Sequence, residues 1–191
     1  MKRPSISLYI FSIALMLGTS SAVYSAEKLI YHVPKNWFLA FHDGNASQQL
    51  REYIPRGQII DDWKQLLSVN MTKLPRKIAP ADYLAAMGQI AKTHCPNQVQ
   101  GKIYAGVENG YQVAIKTEFC PFYTQSQKGE ITAYKAILGD NTIYVVHWAF
   151  RTKPFDLNHI PINRKEWERA KQYIAKEVYL CNTRVAGSCP K

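Results

Sequence analysis

The chain has 191 residues, a hydrophobic fraction of 47% and a formal net charge of +10 at pH 7. This hydrophobic fraction excludes an intrinsically disordered chain, and the length suits one domain that buries about two thirds of its surface on folding. The lysine and arginine residues are scattered rather than clustered, which argues against a dedicated nucleic-acid site. We interpret the charge as an ordinary basic surface; the alternative is a basic adapter for anionic polysaccharide or lipid.

The N-terminus has the composition of a secretory signal peptide. Lys2 and Arg3 precede an apolar run at residues 8–17, and small residues follow it, so we expect cleavage after Ala22 or Ala26. The run is shorter than the roughly 20 apolar residues that a membrane-spanning helix needs. The pattern therefore predicts an exported protein, either periplasmic or secreted.

Removal of residues 1–26 would leave 27–191 as the mature chain, which we interpret as a single domain. The removed segment contains two basic and no acidic residues, so the net charge falls to +8. No later segment is apolar enough to span a membrane, and we expect no transmembrane segment after cleavage.

Four cysteines remain in the mature chain, and none of them forms a C-x-x-C motif. This spacing disfavours a zinc ribbon or a thioredoxin-like redox site, while an even number of cysteines in an exported protein favours two disulfides. Three connectivities are possible. The pairing that we predict is Cys95 with Cys120 and Cys181 with Cys189, both structural.

The first half of the mature chain alternates short β-rich runs with turn residues. Runs bounded by Pro, Asn, Asp and Gly predict strands at residues 29–33, 37–42, 48–54 and 68–72. Between the last two, residues 59–67 place Trp63, Leu66 and Leu67 on one helical face, which predicts a short amphipathic helix. Pro55 has no N–H to donate to a strand ladder and is expected to end the third strand.

The second half contains a helix, two hairpins and a last helix. Pro80 suits the first position of a helix that stops before Pro96. Residues 103–107 and 111–115 predict a hairpin, and we choose a three-residue loop that sets Val107 opposite Tyr111, because this register gives one apolar face.

A second hairpin joins residues 131–138 to residues 143–151, with Leu138 opposite Ile143. Its second strand is apolar on both faces, as in a strand covered on two sides. Asn163, three residues before Glu166, begins the last helix with a pattern like a capping box. Together these elements predict an α+β fold: an antiparallel sheet with about three helices packed on it.

Catalytic and cofactor-binding motifs are missing from the sequence. It contains no G-x-S-x-G, H-E-x-x-H, P-loop or G-x-G-x-x-G pattern, and we expect no cofactor and no metal. His147 lies within a strand, where a hydrogen-bonded core histidine is the favoured interpretation. His42 and Asp43 adjoin a turn and, with Glu52, form the site of an alternative hypothesis, a secreted hydrolase. Turn chemistry is the favoured explanation of the His-Asp pair.

The most distinctive local pattern is the corner at residues 50–71. Its Pro, Gly and Trp have structural explanations, but Glu52, Arg56 and Gln58 form a polar set beside a turn, where binding residues are often found. These three side chains are the candidate binding residues.

The string E-Y-I-P-R-G-Q-x4-W at residues 52–63 resembles small exported proteins of Gram-negative bacteria. Some of these are type II secretion substrates of intracellular pathogens, and the resemblance implies no catalytic residues. The order of elements is similar to that of the PsbP/Mog1 α-β-α sandwich, a likeness of fold that carries no function. We expect a non-enzymatic binding protein with a macromolecular or envelope partner, and a role as a secreted effector would fit the resemblance.

Overall fold

The computed structural model describes residues 26–189, and its centre is an antiparallel β-sheet. The strands are β1 (Glu27–Ile30), β2 (Trp37–Gly44), β3 (Gln48–Pro55), β4 (Gln65–Lys73), β5 (Val99–Gln100), β6 (Tyr104–Glu108), β7 (Tyr111–Tyr123), β8 (Lys128–Leu138), β9 (Thr142–Thr152) and β10 (Tyr179–Asn182). The helices are α1 (Pro80–Ala91) and α2 (Arg164–Lys176), with a 3₁₀ turn at Ile60–Asp62. The predicted α+β fold with an antiparallel sheet is confirmed.

Eight strands form one sheet in the order β2-β3-β4-β9-β8-β7-β5, with β6 also paired to β7. Every pairing is antiparallel. Strands β1 and β10 form a separate two-stranded ribbon. Strand β2 is therefore an edge of the main sheet, whereas β9 lies inside it.

The two faces of the sheet are covered by different helices. On the face covered by α2, Val146 and Trp148 of β9 pack with Ala170 and Ile174 of the helix. On the opposite face, which we call the α1 face, Leu84 of α1 packs with short apolar side chains of β7, β8 and β9. Because alternate residues of a strand point to opposite faces, burial on both sides explains the continuous apolar run of β9, as predicted.

Local sequence signals place the ends of both helices. Pro80 occupies the first turn of α1, where its missing N–H costs no helical hydrogen bond. The Asn163 side chain accepts hydrogen bonds from the backbone N–H groups of Lys165 and Glu166, at 2.8 and 3.4 Å. The predicted start of the last helix is thus confirmed, because Asn163 satisfies donors that have no intrahelical partner.

The helix predicted at residues 59–67 is wrong, and the described residues contain two helices rather than about three. Only the 3₁₀ turn at Ile60–Asp62 is helical, and β4 begins at Gln65. Leu66 and Leu67 are both buried, although they point to opposite faces of the sheet. A strand between β3 and β9 needs apolar residues on both faces, and over a short run this pattern coincides with helical spacing.

The register of the first hairpin is also wrong. Val107 pairs with Gln112 and Glu108 pairs with Tyr111, which leaves a two-residue loop. Asn109 and Gly110 both have positive φ, at 51° and 83°, as a type I′ turn requires. The argument for one apolar face fails because β6 is exposed over most of its length. The register of the second hairpin, with Leu138 opposite Ile143, is confirmed.

Both predicted disulfides are present. Cys95 and Cys120 have Cα atoms 5.9 Å apart and join the loop after α1 to strand β7. Cys181 and Cys189 have Cα atoms 5.1 Å apart and close the C-terminal tail onto β10. The described residues contain no free cysteine, which leaves no thiolate there to act as a nucleophile.

The predicted signal segment lies outside the described residues except for Ala26, so export and cleavage stay predictions. Within residues 26–189, neither helix is long and apolar enough to cross a membrane. Strands β5 and β10 were not expected from the sequence. Both are short, and each depends on a pairing with a strand distant in the chain.

Candidate functional site

A row of polar side chains crosses the α1 face from one strand to the next. Cross-strand pairing places the following residues side by side: Lys116 on β7, Tyr134 on β8, His147 on β9, Ser68 on β4, Glu52 on β3 and Phe41 on β2. Directly paired residues of an antiparallel sheet have Cβ atoms about 4.5–5.5 Å apart. We call the five polar residues the polar row; it reaches the sheet edge at Phe41.

Apolar rows flank the polar row on both sides. On one side Ala114, Ala136 and Val145 are paired across β7, β8 and β9 and covered by α1. On the other side Leu66 and Ala149 are paired and covered by Trp63, while the polar row lies between the two clusters. Polar side chains in this position must find partners or keep contact with water.

The end of the polar row on β7 contains an ion pair. The Lys116 ammonium lies 2.9 Å from a carboxylate oxygen of Glu118, and both side chains are almost fully buried. The same ammonium lies 5.2 Å from the centre of the Tyr134 ring, within the range of a cation–π contact. These contacts satisfy the charge of Lys116, which therefore serves the core rather than a ligand.

In the middle of the row, His147 is neutral. Its ring centre lies 5.1 Å from that of Tyr134, and burial lowers its pKa to about 4. Burial also raises the pKa of Tyr134 above its usual value of 10. No hydrogen bond joins His147 to Ser68 within residues 26–189. His147 is thus largely but not fully buried, and the hydrogen bond expected of a core histidine is not formed with any of the residues 26–189.

Acidification should destabilise the protein through His147. Its folded-state pKa is about 4 and its ordinary value is 6.5, so between these values the unfolded chain binds the proton more readily. The free energy of unfolding should fall by up to about 3 kcal/mol from pH 7 to pH 4. Residual solvent contact of the ring makes this an upper value. Urea titrations at several pH values measure it.

A His147→Gln variant provides the control, because glutamine does not titrate. The difference between the two proteins removes the contributions of Glu52 and Glu130, whose raised pKa values act in the opposite direction. Parallel pH profiles for the two proteins would contradict the assignment.

Glu52 occupies the outer end of the polar row, on β3. The side chain is half-buried, and none of the residues 26–189 donates a hydrogen bond to it. Burial raises its pKa, and the Arg151 guanidinium lowers it by less. Arg151 has other partners: it donates two hydrogen bonds to Glu130, at 3.0 and 3.2 Å, and lies 3.8 Å from the centre of the Trp63 ring.

Exposed apolar side chains lie on β2, beside Glu52 in the strand pairing, and on the loop after β3. Phe41, which is paired with Glu52, is 42% exposed, and Ile59 is 65% exposed. The Arg56 guanidinium lies 5.9 Å from the centre of the Phe38 ring and has no acidic partner among the described residues. These five residues form what we call the corner surface, and two of the three predicted binding residues belong to it.

Gln58, the third predicted binding residue, holds the loop between β3 and β4 through hydrogen bonds of its side chain. Its side-chain oxygen accepts hydrogen bonds from the backbone N–H groups of Lys64, at 2.6 Å, and Gln65, at 3.4 Å. These bonds close the loop between β3 and β4. The structure thus gives Gln58 a role in holding the loop shape that presents Arg56.

The residues of the hydrolase hypothesis are divided between the two faces of the sheet. His42 is paired with Arg51, the neighbour of Glu52, so His42 and Glu52 point to opposite faces. Asp43 accepts a hydrogen bond from the N–H of Gly44 at 2.8 Å, as a turn residue does. A general acid and base must reach one substrate, and these side chains do not share one side of the sheet.

Sequence reasoning missed Ser68, Tyr134 and Arg151 as neighbours of the candidate site. Each lies on a different strand, and its proximity to Glu52 or His147 depends on the pairing of β3 with β4, of β4 with β9 and of β8 with β9. The available signal was a polar residue at alternate positions of otherwise apolar strands. No group of three or more His, Cys, Asp or Glu residues suited to a metal ion occurs within residues 26–189.

Neither a protein-family model nor a curated protein matches the sequence. Among solved structures, the chain is similar to a mutant of the protein Mog1, with a TM-score of 0.51, 8% sequence identity and coverage of 79% of this chain and 89% of that one. At this identity the likeness shows the fold alone, and it supports the expected Mog1-like architecture.

Two further solved structures are similar at lower scores. The Ran-binding protein Mog1p of Saccharomyces cerevisiae has a TM-score of 0.49 and 9% identity, with coverage of 80% of this chain and 94% of that one. Cyanobacterial PsbP (CyanoP) of Synechocystis has a TM-score of 0.45 and 11% identity, with coverage of 85% and 98%.

Proposed function

We propose that the protein is an exported, non-enzymatic binding protein that recognises a protein partner through the corner surface. The partner would belong to the cell envelope or, for a secreted effector, to a host. Support for export comes from the N-terminal signal pattern and from two disulfides, which form and persist in oxidising compartments.

The observation that carries the proposal is the carboxylate of Glu52. This carboxylate is half-buried and accepts no hydrogen bond from residues 26–189, and burial raises its pKa. The Arg151 guanidinium lowers this pKa by less than burial raises it, and Arg151 forms its ion pair with Glu130 rather than with Glu52. A partly buried charged group with a shifted pKa beside an exposed surface is typical of functional sites, where a ligand can supply a hydrogen-bond partner.

The surroundings of Glu52 suit a protein interface. Exposed Phe41 and Ile59 supply apolar area, and Arg56 lies over an aromatic ring; aromatic residues and arginine are enriched in interface cores. Strand β2 is also an edge of the sheet, and none of the strands within residues 26–189 pairs with its outer side. The partner should present a basic or N–H donor to Glu52 and an apolar side chain to Phe41.

Photo-crosslinking tests the proposal in cells. With a benzophenone amino acid in place of Phe41, in the full chain exported by a Gram-negative host or its natural cell, we expect a discrete protein adduct. The same label at Val107, which is 68% exposed on the distant strand β6, is the matched control and should give none. Glu52→Gln or Arg56→Ala should reduce the adduct by about tenfold, as for a buried polar contact.

Stability measurements distinguish lost binding from lost folding. Because the half-buried carboxylate accepts no hydrogen bond from the described residues, Glu52→Gln should raise the free energy of unfolding at pH 7 by about 1 kcal/mol or less. A variant that is at least as stable as the wild type and yet loses the adduct supports a binding role. Equal adducts at positions 41 and 107, or no change on substitution of Glu52, would contradict the proposal.

A further inference from the structure

A pocket lies between helix α2 and the part of the sheet formed by β6, β7 and β8. Its volume is about 400 Å³, within the usual range of pockets that hold small molecules. The lining residues include Tyr104, Ile115, Ala133, Ile174 and Ala175. This α2 pocket is lined by helix α2 and the β6–β7 edge, and no residue of the corner surface contributes to it.

The space under α2 arises from small side chains. Ala133 on β8 and Ala175 on α2 leave room that larger side chains would fill. Beside the pocket, β7 pairs with β5 through Glu118 and with β6 through Ile115, and between them the Gly101 N–H donates a hydrogen bond to the Thr117 carbonyl at 2.9 Å. The pocket therefore has an apolar interior, with β6 and β7 along one side.

The rim of the α2 pocket is basic. Lys102 and Lys176 are exposed and form no ion pair with any described residue. Lys171 lies 2.9 Å from Glu168, the one acidic residue of the lining, which neutralises that pair. The rim thus carries two uncompensated positive charges beside an apolar interior, and this arrangement favours a ligand with an anionic group and an apolar body.

We propose that the α2 pocket binds a small amphipathic carboxylate. Its apolar body would lie against Ile115, Ala133 and Ile174, and its carboxylate would lie between Lys102 and Lys176. The ring of Tyr104, with the Lys102 ammonium 5.4 Å from its centre, supplies a flat wall beside the head group. An acyl chain and an aromatic ring share this chemistry, and the experiment separates them.

The probe is 8-anilinonaphthalene-1-sulfonate, a fluorescent amphipathic anion. In titrations of the full mature protein we expect saturable fluorescence enhancement at one site, and displacement by octanoate or by phenylacetate. Octanol, which is neutral, and octylamine, which is cationic, should displace the probe at least about tenfold less well, because they lack the charge that the rim selects. Preference for octanoate or for phenylacetate identifies an acyl or an aromatic ligand.

Two variants assign the binding to the α2 pocket. Lys102→Glu with Lys176→Glu reverses the rim charge, and Ala175→Leu reduces the volume; each should weaken probe binding by about tenfold or more. Lys153→Glu changes an exposed lysine that does not line the pocket and serves as the matched control, with unchanged binding. Thermal unfolding confirms that the variants are folded, and Lys102→Met with Lys176→Met replaces the charge-reversal variant if that one is not.

Three results would overturn the proposal. These are absence of probe binding to the folded protein, equal displacement by octylamine and octanoate, and unchanged binding in both folded pocket variants. None of them bears on the corner surface, since Glu52 and Arg56 line a different part of the molecule. The two proposals can therefore fail independently.

Discussion

Replacement of Trp63 with alanine should lower the free energy of unfolding by about 3–5 kcal/mol, the usual cost of removing a buried aromatic side chain. Trp63 is 5% exposed and packs with Ile54, Leu66 and Ala149. Its ring also lies 3.8 Å from the Arg151 guanidinium, a contact that contributes about 0.5–2 kcal/mol. The alanine variant loses both contributions, and Arg151 becomes more exposed to water.

Urea unfolding at pH 7 measures the effect, with Ile59→Ala as the matched control at the same corner. Ile59 is 65% exposed, so its truncation should change the stability by no more than about 0.5 kcal/mol. Trp63→Phe should retain part of the packing and fall between the two. A loss below about 1 kcal/mol for Trp63→Ala would show that the corner does not depend on this ring.

Removal of the disulfide between Cys95 and Cys120, by alanine at both positions, should cost about 3 kcal/mol. The bridge joins residues 25 apart in sequence, and in the chain-entropy account it stabilises the protein by restricting the unfolded chain. It also attaches the loop after α1 to β7. Without it, α1 should exchange its amide hydrogens faster than the strands of the central sheet do.

The second disulfide is the internal comparison. Cys181 and Cys189 are 8 residues apart, so the smaller closed loop should contribute less, about 2 kcal/mol. Guanidinium unfolding of the two double-alanine variants measures both values. A larger loss from Cys181→Ala with Cys189→Ala than from the first pair would contradict the chain-entropy explanation.

Features that depend on neighbouring residues were predictable. Asn163 begins α2 because its side chain satisfies backbone donors two and three residues later, and Leu138 pairs with Ile143 across a short turn. The disulfide between Cys181 and Cys189 spans a short loop. In each case the interacting groups are close in sequence, so the local pattern contains most of the relevant free energy.

The errors arose where two local interpretations were compatible with the same residues. Leu66 and Leu67 suit a helix face as well as a strand buried on both sides, and the choice depends on β9, about 80 residues later in the chain. The loop at Asn109 and Gly110 suits two registers, and the exposure of β6 allowed the tighter one. In both cases the local sequence fits two structures, and contacts made only after folding select one of them.

The candidate site shows the same division. The sequence by itself determined that Glu52 lies just before the turn at Pro55 and Gly57 and that Arg56 lies within it, and it supplied the reasons to test them. Only the tertiary structure decided that Gln58 accepts a hydrogen bond from the loop backbone at Lys64. It also decided that His42 and Glu52 point to opposite faces of the sheet and that Arg151 is paired with Glu130. The tertiary structure decided as well that no residue in the described part of the chain donates a hydrogen bond to Glu52, because neighbouring strands of a sheet are often distant in sequence and adjacent only after folding.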